Sequence, residues 1–205
     1  MSKIITIGRQ YGSGGRAVGK IIAEKLGIPL YDKELVELAA KESNVSLEAV
    51  KEIDERASSS LLYSLVTGGW GARGLNAPLF YEMPINDKFF IAQAKVIKDL
   101  AAKGDCVIVG RCADYVLADT EHDVFSIFVY ADMDYRIKFA VENLDVQQNK
   151  AKDTINKTDK QRKTYYDYYT DKSWGEMSSY DLCINVGKTG MERAAQIVCD
   201  CVKDK

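Results

Sequence analysis

The sequence contains a single histidine among its 205 residues, and this scarcity excludes a large class of enzymes. His122 lies in a polar turn between Asp119 and Asp123, where a surface position is expected. Catalysis by a Ser–His or Cys–His pair is therefore not expected, because the only histidine is predicted at the surface and not beside a nucleophile. None of the five cysteines stands in a C-x-x-C spacing, and Cys106 and Cys183 lie in apolar runs typical of reduced core residues. A zinc site is therefore not expected.

An excess of positive charge and long apolar runs are also lacking. The formal net charge is −2 at pH 7, whereas a dedicated nucleic-acid-binding domain is usually basic. No run approaches the roughly 18 apolar residues that indicate a membrane span. A strand-like pattern begins at Ile4, which leaves no room for a signal peptide. The sequence therefore predicts a cytoplasmic globular protein whose partner is neither a membrane nor a nucleic acid.

Glycine is abundant near the start of the chain. A β-branched run, Ile4–Ile7, leads into glycines at positions 8, 12, 14 and 15, and an amphipathic helix pattern over Gly15–Leu26 follows. Glycines let the backbone turn tightly and aim several N–H groups at one point, and a helix N-terminus adds partial positive charge there. This order predicts a phosphate cradle whose ligand is a polyphosphate. A tight strand-to-helix turn is the alternative interpretation.

The loop departs from the strict phosphate-binding pattern G-x-x-x-x-G-K-[ST]. If Gly14 is the second glycine, Arg9 stands in the first glycine place and Gly15 in the lysine place. If Gly15 is the second glycine, Gln10 and Arg16 stand in those places. In both registers the lysine is missing and no hydroxyl follows, so we expect Arg16 to stand in for the lysine.

Short apolar strands alternate with helix patterns along the rest of the chain, which predicts an α/β fold with a parallel five-stranded sheet. The further strands are predicted at Pro29–Asp32, Cys106–Gly110, Val124–Tyr130 and Asp181–Asn185. The further helices are predicted at Glu34–Lys41, Asp87–Ala102, Asp132–Asn143 and Met191–Val202. Ligands bind at the carboxyl ends of such strands. Those ends carry Gly8-Arg9, Asp32, Gly110-Arg111 and Tyr130–Asp132.

Two segments interrupt the alternation of strands and helices. Residues 33–92 are too long for a single crossover helix and contain the glycine-rich loop Gly68–Gly74, so we interpret them as a helical insertion. Residues 146–177 are locally basic and rich in tyrosine, and we interpret them as a lid. The core of one single domain is then 1–32, 93–145 and 178–205.

These residue types suit phosphoryl transfer, which needs alignment of the reactants and positive charge on the phosphoryl oxygens. Arg9, Arg16 and Arg111 are predicted near the cradle, and Lys160, Arg162 and Lys163 are predicted in the lid. A closed lid would exclude water and limit hydrolysis. Simpler interpretations also fit: a solvated helix face for the basic stretch with Asp159 pairing locally, and a salt bridge of Arg111 to Asp114 or Asp32. Asp32 either positions an acceptor or caps the following helix.

The chain resembles the cytidylate kinase-like family of the nucleoside monophosphate kinase group. The resemblance is carried in order by residues 4–36, 107–117, 127–137, 159–169 and 178–190, and its most specific parts are the glycine-rich opening and Gly110-Arg111. It implies a P-loop NTPase-like kinase core in which the insertion binds the acceptor and the basic segment is the lid. It also implies ATP and magnesium as co-substrates and a nucleotide or similar small molecule as acceptor. Magnesium would be held mainly by substrate phosphates, with Ser13 as a weak protein ligand.

The resemblance assigns roles to individual residues. Donor phosphates would be held by Gly12, Ser13, Gly14, Gly15 and Arg16, and the adenine would be bordered by the loop with Lys188 and Thr189. Arg111 would contact the acceptor phosphate, and Asp32 would lie at the start of the acceptor region. Lys160 and Arg162 would be catalytic cations of the lid. A nucleotide-binding regulatory module without turnover is the rival function, favoured by the missing lysine and hydroxyl. The sequence leaves the acceptor and the oligomeric state open.

Overall fold

The computed structural model describes residues 3–43 and 85–203. The predicted loop Gly68–Gly74 lies outside these residues, as does most of the predicted insertion 33–92. The strands are β1 (Lys3–Arg9), β2 (Leu30–Tyr31), β3 (Cys106–Val109), β4 (Asp123–Tyr130) and β5 (Leu182–Asn185). The described helices are α1 (Gly15–Leu26), α2 (Lys33–Ser43), α3 (Ile85–Ala101), α4 (Ala113–Val116), α5 (Met133–Asn143), α6 (Ala151–Tyr169), α7 (Val186–Thr189) and α8 (Met191–Lys203).

The five strands form one parallel sheet in the order β2-β3-β1-β4-β5, which confirms the predicted fold class. The chain leaves β1 toward β2 and leaves β3 toward β4, in opposite directions along the sheet. Loops that diverge in this way open a crevice at the carboxyl ends of the two strands. The crevice between β1 and β3 is bordered by Arg9 and Gly110.

The central strands are buried on both faces, as expected for a parallel sheet covered by helices. Ile5 and Ile7 of β1 belong to the core formed with α1 and α8, and the alternate residues Ile4 and Thr6 are also buried. The helices contribute Val18, Ile22, Ala194, Ala195 and Val198 to that core. Burial of these aliphatic side chains, at about 25 cal/mol for each Å² of apolar surface, supplies the main stabilisation of the sheet.

Helix α1 lies unusually close to the sheet because a glycine faces the strands. A Cβ added at Gly19 would lie 2.9 Å from Cδ1 of Ile7 and 3.4 Å from Cδ1 of Leu30. This close approach fixes the helix over β1 and places its N-terminus just beyond the carboxyl end of that strand. The helix ends at Gly27, which has the left-handed φ of 67° typical of a helix C-terminus.

Two segments contain helices beyond those that the sequence pattern predicted. The basic segment contains the 19-residue helix α6, and the predicted loop with Lys188 and Thr189 lies in the short helix α7. The chain divides into two compact units, Met1–Asp32 with Ile97–Lys205, and Lys33–Val96. Among the described residues, none of the helices has the length and apolarity required to span a bilayer.

Candidate functional site

The glycine loop joins β1 to α1 through two left-handed glycines. Gly12 has φ 76° and Gly14, which precedes the first residue of α1, has φ 75°. Side chains other than glycine rarely adopt this conformation. A Cβ at Gly12 would lie 2.6 Å from the carbonyl oxygen of Arg136, so α5 packs directly on the loop. The loop is therefore a rigid, buried element and not a surface turn.

The main-chain N–H groups of this loop are largely uncommitted. Among the residues that the structure describes, no acceptor lies within hydrogen-bonding distance of the amides of Gly12, Gly14, Gly15 or Arg16. The amides of Tyr11 and Ser13 are committed, because Tyr11 donates to Oδ1 of Asp159 at 2.7 Å and Ser13 donates to the carbonyl oxygen of Gln10 at 3.4 Å. Unbonded amides at a helix N-terminus are the donors that an oxyanion requires.

Ser13 fixes the shape of the loop from within. Its side chain is fully buried, and the hydroxyl lies 2.9 Å from the carbonyl oxygen of Gln10 and 3.1 Å from that of Val129. These contacts tie the loop to the end of β4. A Ser13 ligand to magnesium would require the hydroxyl to turn away from both carbonyls.

Arg16 forms an ion pair with Asp32 at the end of β2. Its Nε lies 2.8 Å from Oδ2 of Asp32, and the Arg16 side chain is 57% exposed whereas that of Asp32 is 13% exposed. Sequence analysis placed both residues at the site but did not predict their pairing. The pair joins the first turn of α1 to the strand that precedes the predicted acceptor region.

Arg111 follows β3 in a strained turn. Gly110, Arg111 and Cys112 have φ values of 75°, 60° and 53°, so three successive residues are left-handed. Each non-glycine residue in this region costs about 1–3 kcal/mol, and such strain concentrates at functional sites. Of the two carboxylates expected near Arg111, Asp32 pairs with Arg16 and Asp114 accepts a hydrogen bond from Tyr166.

Helix α6 lies directly on the glycine loop. Asp159 accepts the Tyr11 amide and forms an ion pair with buried Arg136, while Nη1 of Arg162 donates to the carbonyl oxygen of Arg9 at 3.0 Å. The Arg162 guanidinium also lies 5.5 Å from the centre of the Tyr11 ring, a cation–π contact. The predicted lid residue Arg162 is thus at the loop, whereas Lys160 is exposed on the same helix.

The pKa of Arg162 reflects the charged side chains that cluster at this edge of the sheet. Burial lowers the pKa of Arg162, the charge of Asp159 opposes that shift, and Arg111 and Asp32 also lie close enough to influence it. An arginine side chain keeps its proton in proteins despite such a shift. The site therefore combines several permanent positive charges with two carboxylates, those of Asp32 and Asp159.

A second set of contacts holds the end of α6 to the turn after β3. The hydroxyl of Tyr166 donates to Oδ2 of Asp114 at 2.5 Å, and the Tyr166 ring centre lies 6.5 Å from that of Tyr180. Burial raises the pKa of Asp114, and the hydrogen bond from Tyr166 partly opposes this shift. Burial likewise raises the pKa of Tyr166, with the charge of Asp114 adding to it. The raised pKa values favour the protonated forms of the Tyr166 hydroxyl and the Asp114 carboxyl, and a hydrogen bond joins the two groups.

Lys188 and Thr189 lie at the carboxyl end of β5, in α7. Nζ of Lys188 is 3.5 Å from Oδ2 of Asp132, and both side chains are largely exposed. Oγ1 of Thr189 lies 3.1 Å from the carbonyl oxygens of Asn185 and Gly190. These residues thus occupy the sheet edge that also carries the glycine loop.

Sequence reasoning missed two residues that organise the site, Arg136 buried under the glycine loop and Tyr166 joining α6 to Asp114. It considered only a local pairing for Asp159, which instead accepts a loop amide and pairs with Arg136. The sequence offered one usable signal, an arginine on the buried side of the predicted helix 132–143, where an unpaired charge is costly.

The sequence matches the model of the cytidylate kinase-like family over residues 4–188. The chain belongs to the cytidylate kinase-like family. No curated protein matches this sequence. An uncharacterized protein from Eubacterium ventriosum shares 30% identity and a TM-score of 0.71, with 99% of each chain covered.

Two further solved structures resemble this member of the cytidylate kinase-like family in fold. Shikimate kinase from Bacteroides thetaiotaomicron has 12% identity, a TM-score of 0.55 and 99% coverage of each chain. APS kinase from Mycobacterium tuberculosis, solved with AMPPNP and APS, has 16% identity, a TM-score of 0.52 and 98% coverage of each chain. Both are P-loop kinases, and at this identity the likeness concerns the fold alone.

Proposed function

We propose that this member of the cytidylate kinase-like family is a phosphotransferase that moves the γ-phosphate of ATP to a nucleotide or other small-molecule acceptor. The observation that carries the proposal is the set of unbonded amides at Gly12, Gly14, Gly15 and Arg16, beside a cluster of arginines. Those amides and the N-terminus of α1 would bind the donor phosphates.

The acceptor would bind on the other side of the crevice between β1 and β3. Arg111 would bind its phosphate or other anionic group through the guanidinium, since the turn after β3 holds this residue at the sheet edge. Asp32 would orient the acceptor, and its ion pair with Arg16 couples that carboxylate to the donor side. Acceptor identity would be decided within residues 33–92.

Helix α6 would complete the site from above the loop. Arg162 already contacts the carbonyl of Arg9 and the ring of Tyr11, which places a charge beside the cradle. Lys160 is on the same helix and would reach the transferred group when a substrate is present. Positive charge fixed at this point stabilises the charge that spreads over the phosphoryl oxygens in the transition state.

Lys188 and Thr189 would border the adenine of the donor. They lie at the end of β5, next to β4, whose Val129 carbonyl accepts the Ser13 hydroxyl. The ion pair of Lys188 with Asp132 would hold α7 in place.

Magnesium is implied by the family and would enter with the nucleotide. The described residues contain no group of three or more His, Cys, Asp or Glu side chains that could hold a metal ion. This donor set suits Mg²⁺ carried by phosphates, because that ion keeps several waters and needs only one or two protein oxygens. Ser13 would be at most a weak protein ligand, because its buried hydroxyl lies against the carbonyl oxygens of Gln10 and Val129, and the metal would neutralise charge on the donor phosphates.

The test is an acceptor screen with ATP and magnesium, covering nucleoside monophosphates, sugars, hydroxylated acids and sulfated nucleotides. We expect ADP formation to depend on one acceptor class and to fall by about 100-fold or more in Arg111→Ala, since Arg111 binds the acceptor. Lys20→Ala, on the exposed face of α1, is the matched control for loss of one positive charge. Tight ATP binding without acceptor-dependent turnover would favour the rival function, a regulatory nucleotide-binding module.

A further inference from the structure

The two departures from the strict phosphate-binding pattern occur at positions that are in contact in the folded protein. With Gly14 as the second glycine, the first glycine place holds Arg9 and the lysine place holds Gly15. Relative to the strict pattern, the loop has a long cationic side chain at position 9 in place of glycine, and a glycine at position 15 in place of lysine.

The side chain of Arg9 passes directly over Gly15. A Cβ added at Gly15 would lie 2.6 Å from Cβ and 3.1 Å from Cγ of Arg9. The first of these atoms is attached to the backbone of β1 and cannot move away without moving the strand. A lysine at position 15 is therefore incompatible with an arginine at position 9, and Arg9 occupies the entry to the space that such a lysine would use.

The guanidinium of Arg9 continues toward the turn after β3. A Cβ added at Gly110 would lie 1.9 Å from Nη1 and 2.8 Å from Cζ of Arg9, so this glycine leaves the space that the guanidinium fills. The charges of Arg9 and Arg111 both act on the buried thiol of Cys112. The Arg9 side chain thus spans from the first turn of α1, on the donor side, to the acceptor arginine.

Arg16 is differently placed. Its guanidinium pairs with Asp32 at 2.8 Å and more than half of its side chain is exposed. A phosphate at the loop would have to compete with that carboxylate for Arg16. The main-chain carbonyl of Arg9, in contrast, is held by Arg162, which fixes the backbone from which the Arg9 side chain departs.

We propose that Arg9, rather than Arg16, supplies the positive charge of the missing lysine and binds the phosphoryl group between donor and acceptor. This inference rests on the proposed phosphotransferase function and names the residue that carries its central charge. A guanidinium offers planar, bidentate hydrogen bonds to phosphate oxygens that an ammonium group does not.

The first experiment compares Arg9→Ala, Arg9→Lys, Arg16→Ala and the surface control Lys20→Ala. Binding of Mg-ATP and of inorganic tripolyphosphate is measured by calorimetry, and acceptor-dependent ADP formation is measured separately. In Arg9→Ala we expect affinity for both ligands to fall about tenfold or more and turnover to fall about 100-fold or more, because a charge-assisted contact is lost. Arg16→Ala should lower both affinities and turnover by a smaller factor than Arg9→Ala does, since a phosphate must compete with Asp32 for the Arg16 guanidinium.

The second experiment restores the strict pattern. Gly15→Lys alone should unfold at a lower temperature and lose binding, because its Cβ meets Arg9. The double variant Arg9→Gly with Gly15→Lys removes that collision and should recover tripolyphosphate binding and thermal stability relative to either single variant. Recovery in the double variant would support an exchange of the cation across the loop, whereas additive losses would contradict it.

The outcomes separate this inference from the function on which it rests. Wild-type protein that binds Mg-ATP but shows no acceptor-dependent turnover contradicts the phosphotransferase function, and the binding comparison still tests Arg9. Equal affinity and turnover in Arg9→Ala and the wild type, with circular dichroism unchanged, would overturn the inference. A larger loss in Arg16→Ala than in Arg9→Ala would also overturn it and assign the charge to Arg16.

Discussion

At the scale of single residues, the surroundings of a glycine decide how much a side chain would cost. Gly12 and Gly27 both have left-handed backbones, with φ of 76° and 67°. A Cβ at Gly12 would meet the carbonyl oxygen of Arg136 at 2.6 Å, whereas a Cβ at Gly27 would meet nothing within 4 Å. The two positions therefore separate backbone strain from steric collision.

Gly12→Ala should destabilise the protein by about 3 kcal/mol or more, and Gly27→Ala by about 1–2 kcal/mol. The left-handed conformation alone accounts for the smaller figure, and displacement of α5 from the loop adds the rest. Urea unfolding of both variants measures the difference. Equal losses in the two variants would show that the loop is not held against α5.

The pH dependence of stability should carry the signature of Asp114. Burial raises the pKa of its carboxyl above the ordinary value of 3.8, so the folded state favours the protonated form. The associated stability is fully present below about pH 3.8 and is lost as the pH rises through the folded pKa. Tyr166, Tyr180, Lys172 and Cys112 are the titratable groups coupled to this carboxyl.

The Asp114→Asn variant lacks this pH-dependent contribution to stability, because an amide does not titrate in this range. The stability of the wild type relative to this variant should therefore fall between about pH 4 and pH 7, as measured by urea unfolding at a series of pH values. Asp123→Asn, on a carboxyl at the edge of β4 with only partial burial, serves as the comparison. A constant difference across this range would contradict a raised pKa for Asp114.

At the scale of elements, an ion pair with little exposure joins α6 to α5 and adds to the contacts of α6 with the glycine loop and with Asp114. The side chains of Arg136 and Asp159 are 8% and 15% exposed, and both contact the backbone of Tyr11. Lys138 and Glu142 form an exposed pair on α5, with side chains 74% and 57% exposed. These two pairs provide a matched comparison.

Asp159→Asn should cost about 3 kcal/mol, because it leaves the Arg136 charge buried without its counter-charge. Glu142→Gln should cost less than about 1 kcal/mol, as is usual for an exposed pair. Hydrogen exchange of the Tyr11 amide should also accelerate in Asp159→Asn relative to Glu142→Gln. Unchanged exchange at Tyr11 would show that the carboxylate does not hold the helix on the loop.

The elements themselves could be predicted more fully than their contacts. Helix α1 begins and ends at the predicted Gly15 and Leu26, because glycines mark both ends and an apolar stripe runs between them. Helix α6 had no such stripe, since its surface is mostly polar, and its docking depends on Asp159 and Arg162. Pairing across 148 residues, as between Tyr11 and Asp159, leaves no periodic trace in the sequence.

The sequence also could not predict which groups the arginine side chains of the site contact. Arg9, Arg16 and Arg111 were predicted near the cradle, and Arg162 was predicted in the lid. Their partners, however, depend on the strand order and on the left-handed turn at Arg111, which no local pattern specifies. The predicted insertion 33–92 and lid 146–177 remain predictions about function.

At the scale of the whole molecule, the buried cysteines report whether the core unfolds as one unit. Burial, with a smaller contribution from the charge of Asp105, raises the pKa of the Cys106 thiol to about 11, and burial also raises that of Cys112 and Cys199. These thiols lie in β3, in the turn after it and in α8, all within the unit that contains the sheet.

The three buried cysteines should resist iodoacetamide at about pH 8 and become reactive together, at the same denaturant concentration, when the sheet unfolds. Cys201, which is partly exposed, should react in the native protein. Mass spectrometry of peptides labelled across a urea series provides the measurement. Reaction of Cys199 well before Cys106 would indicate that α8 separates from the sheet first.

The hold of α6 on the glycine loop has a consequence for how this enzyme family can diversify. Two of the contacts reach main-chain atoms, the carbonyl of residue 9 and the amide of residue 11, which every amino acid except proline at position 11 retains. Mutation can therefore replace either side chain and alter the chemistry of the loop, while α6 keeps the same two main-chain contacts. We therefore expect natural variants and engineered libraries that differ at positions 9 and 11 to keep α6 on the glycine loop.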